Sequence, residues 1–400
     1  MLPVPGKGGP AWLELTSEHF TLWTDTVPAR AHELIREMEH FRQAVAGVAF
    51  PNAPATARAM VIAFRDDEEL HEMLSDNTAL ANDVPPEAPW WQPVIILPAY
   101  SDYDPADTRS PHELTHLISH MVVRRQPRWL SEGIAQFFET LQIDPDKSTV
   151  TAGLAPRDGT RPKRMPSLVS ASTLFAWQTQ TQQARKAERQ LYGTAWALFT
   201  FLTNEHRAEL VHYLELLAAM GDTTNDLTPK QLERAWDEAF PSLPVATLDT
   251  TLRQWLVRGS HMVFQFNILL REGPVAEHTL TDADVYAMRA WLFWHSDQKR
   301  AQRANLLAAL EADPTNVLAR VISSQLGDTS LTAAVARTMA AAHADDWRAW
   351  WLASIAISAE RGNEAEAEAA AAKACALIAQ NRAVIAPPKL CPAHVVDAHE

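Results

Sequence analysis

The chain has 400 residues, 47% of them hydrophobic and 21% charged, which is enough for two or three domains with ordinary cores. The net charge of −14 argues against a nucleic-acid partner, because such binding depends on basic patches. The sequence has no apolar run near the ~18 residues of a membrane span, so we expect no such span.

The first hundred residues predict a small region of strands and helices. Residues 1–10 are rich in proline and glycine and lack the apolar core of a signal peptide, so we expect a flexible leader. Alternating apolar and polar residues over 11–26 predict two short strands or a hairpin. Helices are expected at 29–47 and 66–74, and strands at 57–64 and 94–97. The last strand, if it lies at a sheet edge, could pair with an extended peptide; a plain core strand is the alternative.

The segment His112-Glu113-Leu114-Thr115-His116 carries the first chemical signal. Residues four apart lie on one face of a helix, so His112 and His116 can both direct an imidazole at one metal ion. Glu113 lies beside them, off the ligand positions, where it can take a proton from a water at the metal. The alternative is an amphipathic helix with two surface histidines.

His120 continues the four-residue spacing of His112 and His116. On a straight helix with a rise of ~1.5 Å per residue, His120 lies ~12 Å along the axis from His112. One ion cannot easily bind both. We therefore expect His120 at the helix surface or in contact with a ligand residue.

A second motif strengthens the metal prediction, because a carboxylate at Glu132 would be a third ligand and leave a fourth position open, as in catalytic zinc sites. Segment 129–135, W-L-S-E-G-I-A, resembles the W-L-x-E-G-x-A segment that carries the third ligand in gluzincin metallopeptidases. The metzincin pattern H-E-x-x-H-x-x-G-x-x-H does not apply, since Ser119 and Val122 stand at its glycine and last histidine positions.

The resemblance extends to Tyr192, sixty residues after Glu132. Gluzincins similar to aminopeptidase N place a tyrosine at about this point, and its hydroxyl stabilises the oxyanion. A core tyrosine that packs two helices is the alternative. The sequence has no G-x-M-E-N segment to hold a substrate's amino terminus, so exopeptidase activity is not supported. The closer likeness, over about 11–258, is to bacterial peptidase-MA-like families. Members of this group are often exported or lipid-anchored, so the localisation stays open.

Three arginines, Arg124, Arg125 and Arg128, lie between the two motifs. They could hold acidic groups of a substrate, but we expect a solvated connection between the two zinc helices.

From about residue 275 the pattern is typical of paired helices. Alanine-rich amphipathic stretches alternate with turns at 313–316 and 345–347, about thirty-two residues apart. A ~34-residue period predicts a tetratricopeptide-like region with a surface suited to a protein partner, and an irregular helical bundle is the alternative. Cys375 and Cys391 could pair, although nothing requires it.

Together these patterns predict an α+β fold: a zincin-like catalytic domain, with a small mixed sheet plus helices, followed by an all-α helical-repeat region. The predicted parts are a flexible leader at 1–10, an N-terminal strand-helix part of the zincin-like domain at 11–105, a zinc-binding helical catalytic part at 106–258, a tetratricopeptide-like region at 275–386 and a loose tail at 387–400.

The predicted function is zinc-dependent hydrolysis of a peptide or protein substrate, as an endopeptidase. One Zn²⁺ per chain would be bound by His112, His116 and Glu132, with Glu113 as general base and Tyr192 as oxyanion donor. One alternative is hydrolysis of a non-peptide amide or ester by the same chemistry. The other is a helical-repeat protein-binding module whose zinc site is structural or vestigial.

Overall fold

The described part of the protein is mixed α/β, with two small sheets and a helical C-terminal region, which confirms the predicted α+β class. The computed structural model describes residues 3–50, 58–74, 94–98, 109–123, 125–144, 146, 148–154, 168–177, 182–220, 227–259, 262–327, 330–380 and 391. Among these, no helix is both long and apolar enough to cross a membrane.

The strands are β1 (Leu13–Thr16), β2 (Phe20–Thr24), β3 (Ala59–Phe64), β4 (Val94–Pro98), β5 (Gln142–Asp144), β6 (Thr149–Ala152), β7 (Phe264–Asn267) and β8 (Ala276–Thr279). The α-helices are α1 (Pro28–Ala49), α2 (Asp67–Leu74), α3 (Arg109–Val122), α4 (Arg128–Phe138), α5 (Ala171–Phe175), α6 (Gln182–Glu205), α7 (Arg207–Ala219), α8 (Pro229–Ala239), α9 (Val245–Arg258), α10 (Asp282–His295), α11 (Lys299–Ala312), α12 (Val317–Gln325), α13 (Ala333–Ala342), α14 (Trp347–Ser358) and α15 (Glu364–Ala379).

The chain divides into two compact units that are not continuous in sequence. Unit 1 comprises Met1–Ile35, Thr56–Ser101 and Gly273–Glu400, and unit 2 comprises Arg36–Ala55 and Asp102–Glu272. This division differs from the predicted domains, in which the N-terminal strands and helices belong with the zinc motif. Here they group with the C-terminal helices instead.

The sheet of unit 1 explains this grouping. Its strand order is β4-β3-β2-β1-β8, with β2, β3 and β4 parallel and β1 antiparallel to both of its neighbours. Since β8 lies in the segment Gly273–Glu400, its pairing with β1 joins the N-terminal and C-terminal segments of unit 1. Among the described strands, β4 lies at the other edge of the sheet, which is the position that pairing with an extended peptide would require. Its pairing with a peptide stays a prediction.

Residues 3–10 also belong to the core of unit 1, which differs from the predicted flexible leader. Val4 is buried in a cluster that includes Trp12 and Trp291, because an apolar side chain gains free energy on leaving water. The turn Pro5–Lys7 is held by the Gly6 N–H, which donates to Asp282 Oδ1 at 2.8 Å at the start of α10.

The C-terminal helices of unit 1 follow one another in pairs. The helices α10, α12 and α14 begin at Asp282, Val317 and Trp347, which is 35 and 30 residues apart. This spacing is near the ~34 residues of the predicted repeat, while the likeness to tetratricopeptide proteins stays a prediction. Cys375 on α15 forms a disulfide bond with Cys391. The rest of the predicted tail at 387–400 lies outside the described residues.

Unit 2 is mainly helical, as the pattern from residue 168 to residue 257 predicts. It contains the three-stranded sheet, which is antiparallel with the order β5-β6-β7. Its core is rich in aromatic side chains, with Trp129 on α4 packed against Tyr213 and Trp236. Helix α4 is buried over most of its length and packs on both α3 and α6, which places its side chains between the two.

Candidate metal centre

Helix α3 carries the segment His112–His116, helix α4 carries Glu132, and the two helices pack against each other. On α3, Leu114, Leu117 and Ile118 are buried in the protein. The 3.6-residue period then places His112 and His116 together on the adjoining face, where both are half-buried.

Three side chains converge at this face. The Nε2 atoms of His112 and His116 are 3.2 Å apart, and Glu132 Oε2 on α4 lies 3.5 Å from the first and 3.4 Å from the second. The ligating atoms of all three residues lie within 4.8 Å of one another. This group could therefore hold one metal ion.

The remaining nitrogen of each imidazole has its own partner on α4. His112 Nδ1 lies 2.8 Å from Glu139 Oε2, and His116 Nδ1 lies 2.9 Å from Ser131 Oγ. If each Nδ1 carries the hydrogen and donates it, each Nε2 keeps a lone pair for a metal. Glu139 could be foreseen, because it lies two helical turns after Glu132 and so on the same face of α4. Ser131 had no signal in the sequence.

The electrostatics of the group favour positive charge between the rings. Burial opposes protonation of His112, but its contacts with Glu132 and Glu139 outweigh burial and raise its pKa to about 10. Burial likewise opposes ionisation of Glu132, yet the two histidines hold the pKa of that carboxyl well below its usual range. The carboxylates that retain a proton on His112 would equally attract a cation.

Glu113 and His120 lie beside the group without belonging to it. Glu113 is half-buried, and its negative charge contributes to the raised pKa of His112, so its carboxylate lies near that ring. His120 stacks on His116, with ring centroids 6.1 Å apart, and its Nε2 lies 3.4 Å from Ser131 Oγ.

The second oxygen of Glu132 meets two further side chains. The Tyr192 hydroxyl on α6 donates to Glu132 Oε1 at 3.4 Å, and Arg128 Nη2 lies 3.6 Å from the same oxygen. The structure thus brings Tyr192 to the other predicted site residues. Arg128, which we expect in a solvated connection between the two zinc helices, is half-buried, and its guanidinium lies 4.9 Å over the ring of Trp177.

A glycine sets the distance between the helices that carry these groups. A Cβ on Gly133 would lie 2.8 Å from the backbone oxygen of Ala195 and 3.0 Å from Phe199 Cβ, both on α6. Real Cβ atoms essentially never come within 3.0 Å of such neighbours, so only glycine permits this approach. The residue after Glu132 therefore determines how near α4 comes to the helix of Tyr192.

Fold and site together define an α+β protein with a candidate metal centre of two histidines and one glutamate. A family model described as "Protein of unknown function (DUF1570)" matches residues 112–221, a segment that begins at His112 and includes Glu132 and Tyr192. No curated protein and no solved structure matches the chain significantly.

Proposed function

We propose that the protein is a zinc-dependent hydrolase of peptide bonds, of gluzincin type. The observation that carries the proposal is the convergence of His112 Nε2, His116 Nε2 and Glu132 Oε2 within 3.5 Å of one another. Their arrangement on two helices matches the ligand order that the resemblance to gluzincins implies.

The donor set fits zinc on two grounds. Two imidazole nitrogens and one carboxylate oxygen are a ligand set that catalytic zinc uses, with one position left for water or substrate. In addition, Glu132 Oε2 is buried and makes no hydrogen bond among the described residues. Its contacts with the two histidines, at 3.4–3.5 Å, are longer than good hydrogen bonds. A buried carboxylate oxygen without a hydrogen bond is costly, and a bound cation would offset that cost.

When bound, a zinc ion supplies Lewis acidity, which makes a water more acidic and polarises a carbonyl oxygen. Glu113 is then the proton carrier: its carboxylate, near His112 but outside the ligand group, takes a proton from the attacking water and passes it to the leaving amine. The Tyr192 hydroxyl, already directed at the ligand carboxylate, donates to the oxyanion.

Glu139 and Ser131 orient the two histidine ligands. By accepting from the Nδ1 atoms of His112 and His116 they hold both rings in the orientation that directs Nε2 at the ion. A site built only to stabilise the fold would need neither Glu113 nor a tyrosine at its rim. This supports an enzyme over a binding module with a structural or vestigial zinc site.

The peptide substrate rests on the likeness to gluzincins, since the same metal chemistry also cleaves other amides and esters. The disulfide between Cys375 and Cys391 supports an oxidising compartment and therefore export, because such bonds are rare in the reducing cytosol.

The test combines metal analysis with a protease assay on an unfolded protein substrate. We expect one zinc per wild-type chain, loss of that zinc in His116→Ala, and retention of zinc without turnover in Glu113→Gln. The controls are His212→Ala and Glu233→Gln, which alter exposed residues of α7 and α8. A Glu113→Gln protein that cleaves as fast as wild type would refute the mechanism. Stoichiometric zinc without hydrolysis of any substrate would favour the binding module.

A further inference from the structure

We infer that Arg128 forms a carboxylate-binding subsite beside the metal centre, so that the preferred substrate carries a carboxylate next to the bond that is cleaved. The inference rests on the proposed hydrolase function and names the substrate chemistry of that site.

The stability of its own helix gives little reason for an arginine at position 128, since its ion pair with Glu132, four residues on, is long at 3.6 Å. Arg128 is the first residue of α4, directly after Pro127, which provides no side-chain cap. A positive side chain at a helix N-terminus is opposed by the helix dipole. The contacts of Arg128 outside its helix are therefore the ones that bear on its role.

Aromatic packing fixes the direction of the guanidinium. Arg128 lies over the face of Trp177 at 4.9 Å, and the edge of Trp177 meets Tyr192, with ring centroids 5.3 Å apart. Trp177 itself is only 5% exposed, so the platform beneath Arg128 is anchored in the core. Stacked in this way, arginine loses little further freedom when it binds a planar carboxylate.

The guanidinium of Arg128 has at least one N–H donor that makes no hydrogen bond among the described residues. Its buried Nε is that donor. Its contact with Glu132 Oε1, at 3.6 Å, is an ion pair longer than a hydrogen bond. The Arg128 side chain is nevertheless 25% exposed, so part of it faces solvent.

The distribution of charge on Glu132 also favours a carboxylate ligand at Arg128. Glu132 contacts the two histidines through Oε2, and Arg128 and Tyr192 through Oε1. Once Oε2 binds a metal ion, less negative charge remains on Oε1 to balance Arg128. An incoming carboxylate restores that balance through charge-assisted hydrogen bonds.

Geometry also limits where the carboxylate lies on the substrate. Arg128 and Tyr192 contact the same oxygen atom, so a group bound by Arg128 lies close to the tyrosine that we assign to the reacting carbonyl. The carboxylate therefore belongs to a residue that flanks the cleaved bond. It is either an acidic side chain or the free C-terminus of a substrate cut near its end.

Two pairs of quenched fluorescent peptides test the inference and separate these sources. One pair differs only by Glu or Gln beside the cleaved bond, and the other by a free or amidated C-terminus. For zinc-loaded wild type we expect kcat/KM to favour the carboxylate by about 10- to 100-fold in one pair, the range of a charged hydrogen bond. In Arg128→Gln that ratio should fall to near one.

The matched control is Arg207→Gln. Arg207, also in unit 2, likewise lies over an aromatic ring, that of Phe266 at 5.6 Å, and it has no contact with the metal-binding residues among the described interactions. Its variant should keep the wild-type ratio. If Arg128 served only to hold Glu132 in place, Arg128→Gln would slow both members of a pair equally. An unchanged ratio in Arg128→Gln, or no preference in wild type, overturns the inference.

Binding measurements separate this inference from the proposed function. Affinities of the same four peptides are measured for zinc-loaded Glu113→Gln protein, with and without Arg128→Gln. A carboxylate preference that disappears with Arg128→Gln supports the subsite even if wild type cleaves no peptide, in which case only the hydrolase proposal fails. Equal affinity for both members of each pair overturns the subsite even if wild type is an active peptidase.

Discussion

The close approach of α4 and α6 gives a sharp prediction, because Gly133 lies directly after Glu132. Gly133→Ala places a Cβ 2.8 Å from the backbone oxygen of Ala195 and 3.0 Å from Phe199 Cβ. These atoms belong to the body of α6 and not to the flexible end of a side chain. The two helices must therefore move apart.

The size of the effect follows from two opposing contributions. Overpacking of a close interface costs about 1–3 kcal/mol. Replacing glycine with alanine inside a helix returns about 1 kcal/mol. Since the clash is with backbone, we expect the free energy of unfolding to fall by about 1–2 kcal/mol. Separation of the helices also draws Glu132 away from Tyr192, so zinc affinity should fall as well.

Urea unfolding followed by tryptophan fluorescence measures the first effect, and competition with a chelator measures the second. The matched control is Gly47→Ala in α1, where the added Cβ meets only Ile268 Cδ1 at an ordinary 3.5 Å. That variant should be as stable as wild type or more stable, by up to about 1 kcal/mol. If Gly133→Ala behaves like Gly47→Ala in both assays, the close-approach reasoning is refuted.

Four further predictions follow from the contacts described above. Glu139→Gln should lower zinc affinity by about 10- to 100-fold, since it weakens the hold on His112 Nδ1; equal chelator competition would contradict this. The pKa of His112 is raised from 6.5 to about 10 without metal, so zinc binding between these pH values should release a proton, detectable by calorimetry in buffers of different ionisation enthalpy. The same raised pKa adds stability that is fully present below pH 6.5 and is lost as the pH rises through about 10, so the urea midpoint of the metal-free protein should fall across that window; a flat profile would count against the shift. Reducing the disulfide between Cys375 and Cys391, 16 residues apart, should lower the free energy of unfolding by about 3 kcal/mol, because the unfolded chain gains entropy. Hydrogen-exchange protection in α15 should fall as well; unchanged protection would show that the bond does not stabilise this helix.

Local patterns in the sequence predict most elements of the first hundred residues and the group of side chains at the candidate metal centre. The helix expected at 29–47 is observed at Pro28–Ala49, and the strand expected at 94–97 at Val94–Pro98. Such periodicities are properties of one element and need no knowledge of its neighbours. The same holds for His112 and His116, whose spacing alone places them on one face of a helix.

Strand β8 and the roles of Arg128 and Gly133 were not predicted, because they depend on contacts between distant segments of the chain. All four residues of β8 are exposed and show no apolar alternation, so its strand conformation depends on the edge offered by β1. Arg128 could not be assigned to the site, because the ring that directs it, Trp177, lies in a different segment of the chain. Gly133 gave no sign of its packing role for the same reason, since its neighbours are on α6.

The pairing of β1 with β8 also sets an order of events during synthesis. Strand β1 emerges from the ribosome 260 residues before its partner, from Thr16 to Ala276. At about 5–20 residues per second, this is an interval on the order of 10–50 s. All of unit 2 is translated within that interval. The unit that carries the candidate metal centre can thus be synthesised in full while the first sheet still exposes an open edge, which is a site for mispairing. A stop codon before residue 276 would leave that edge open permanently.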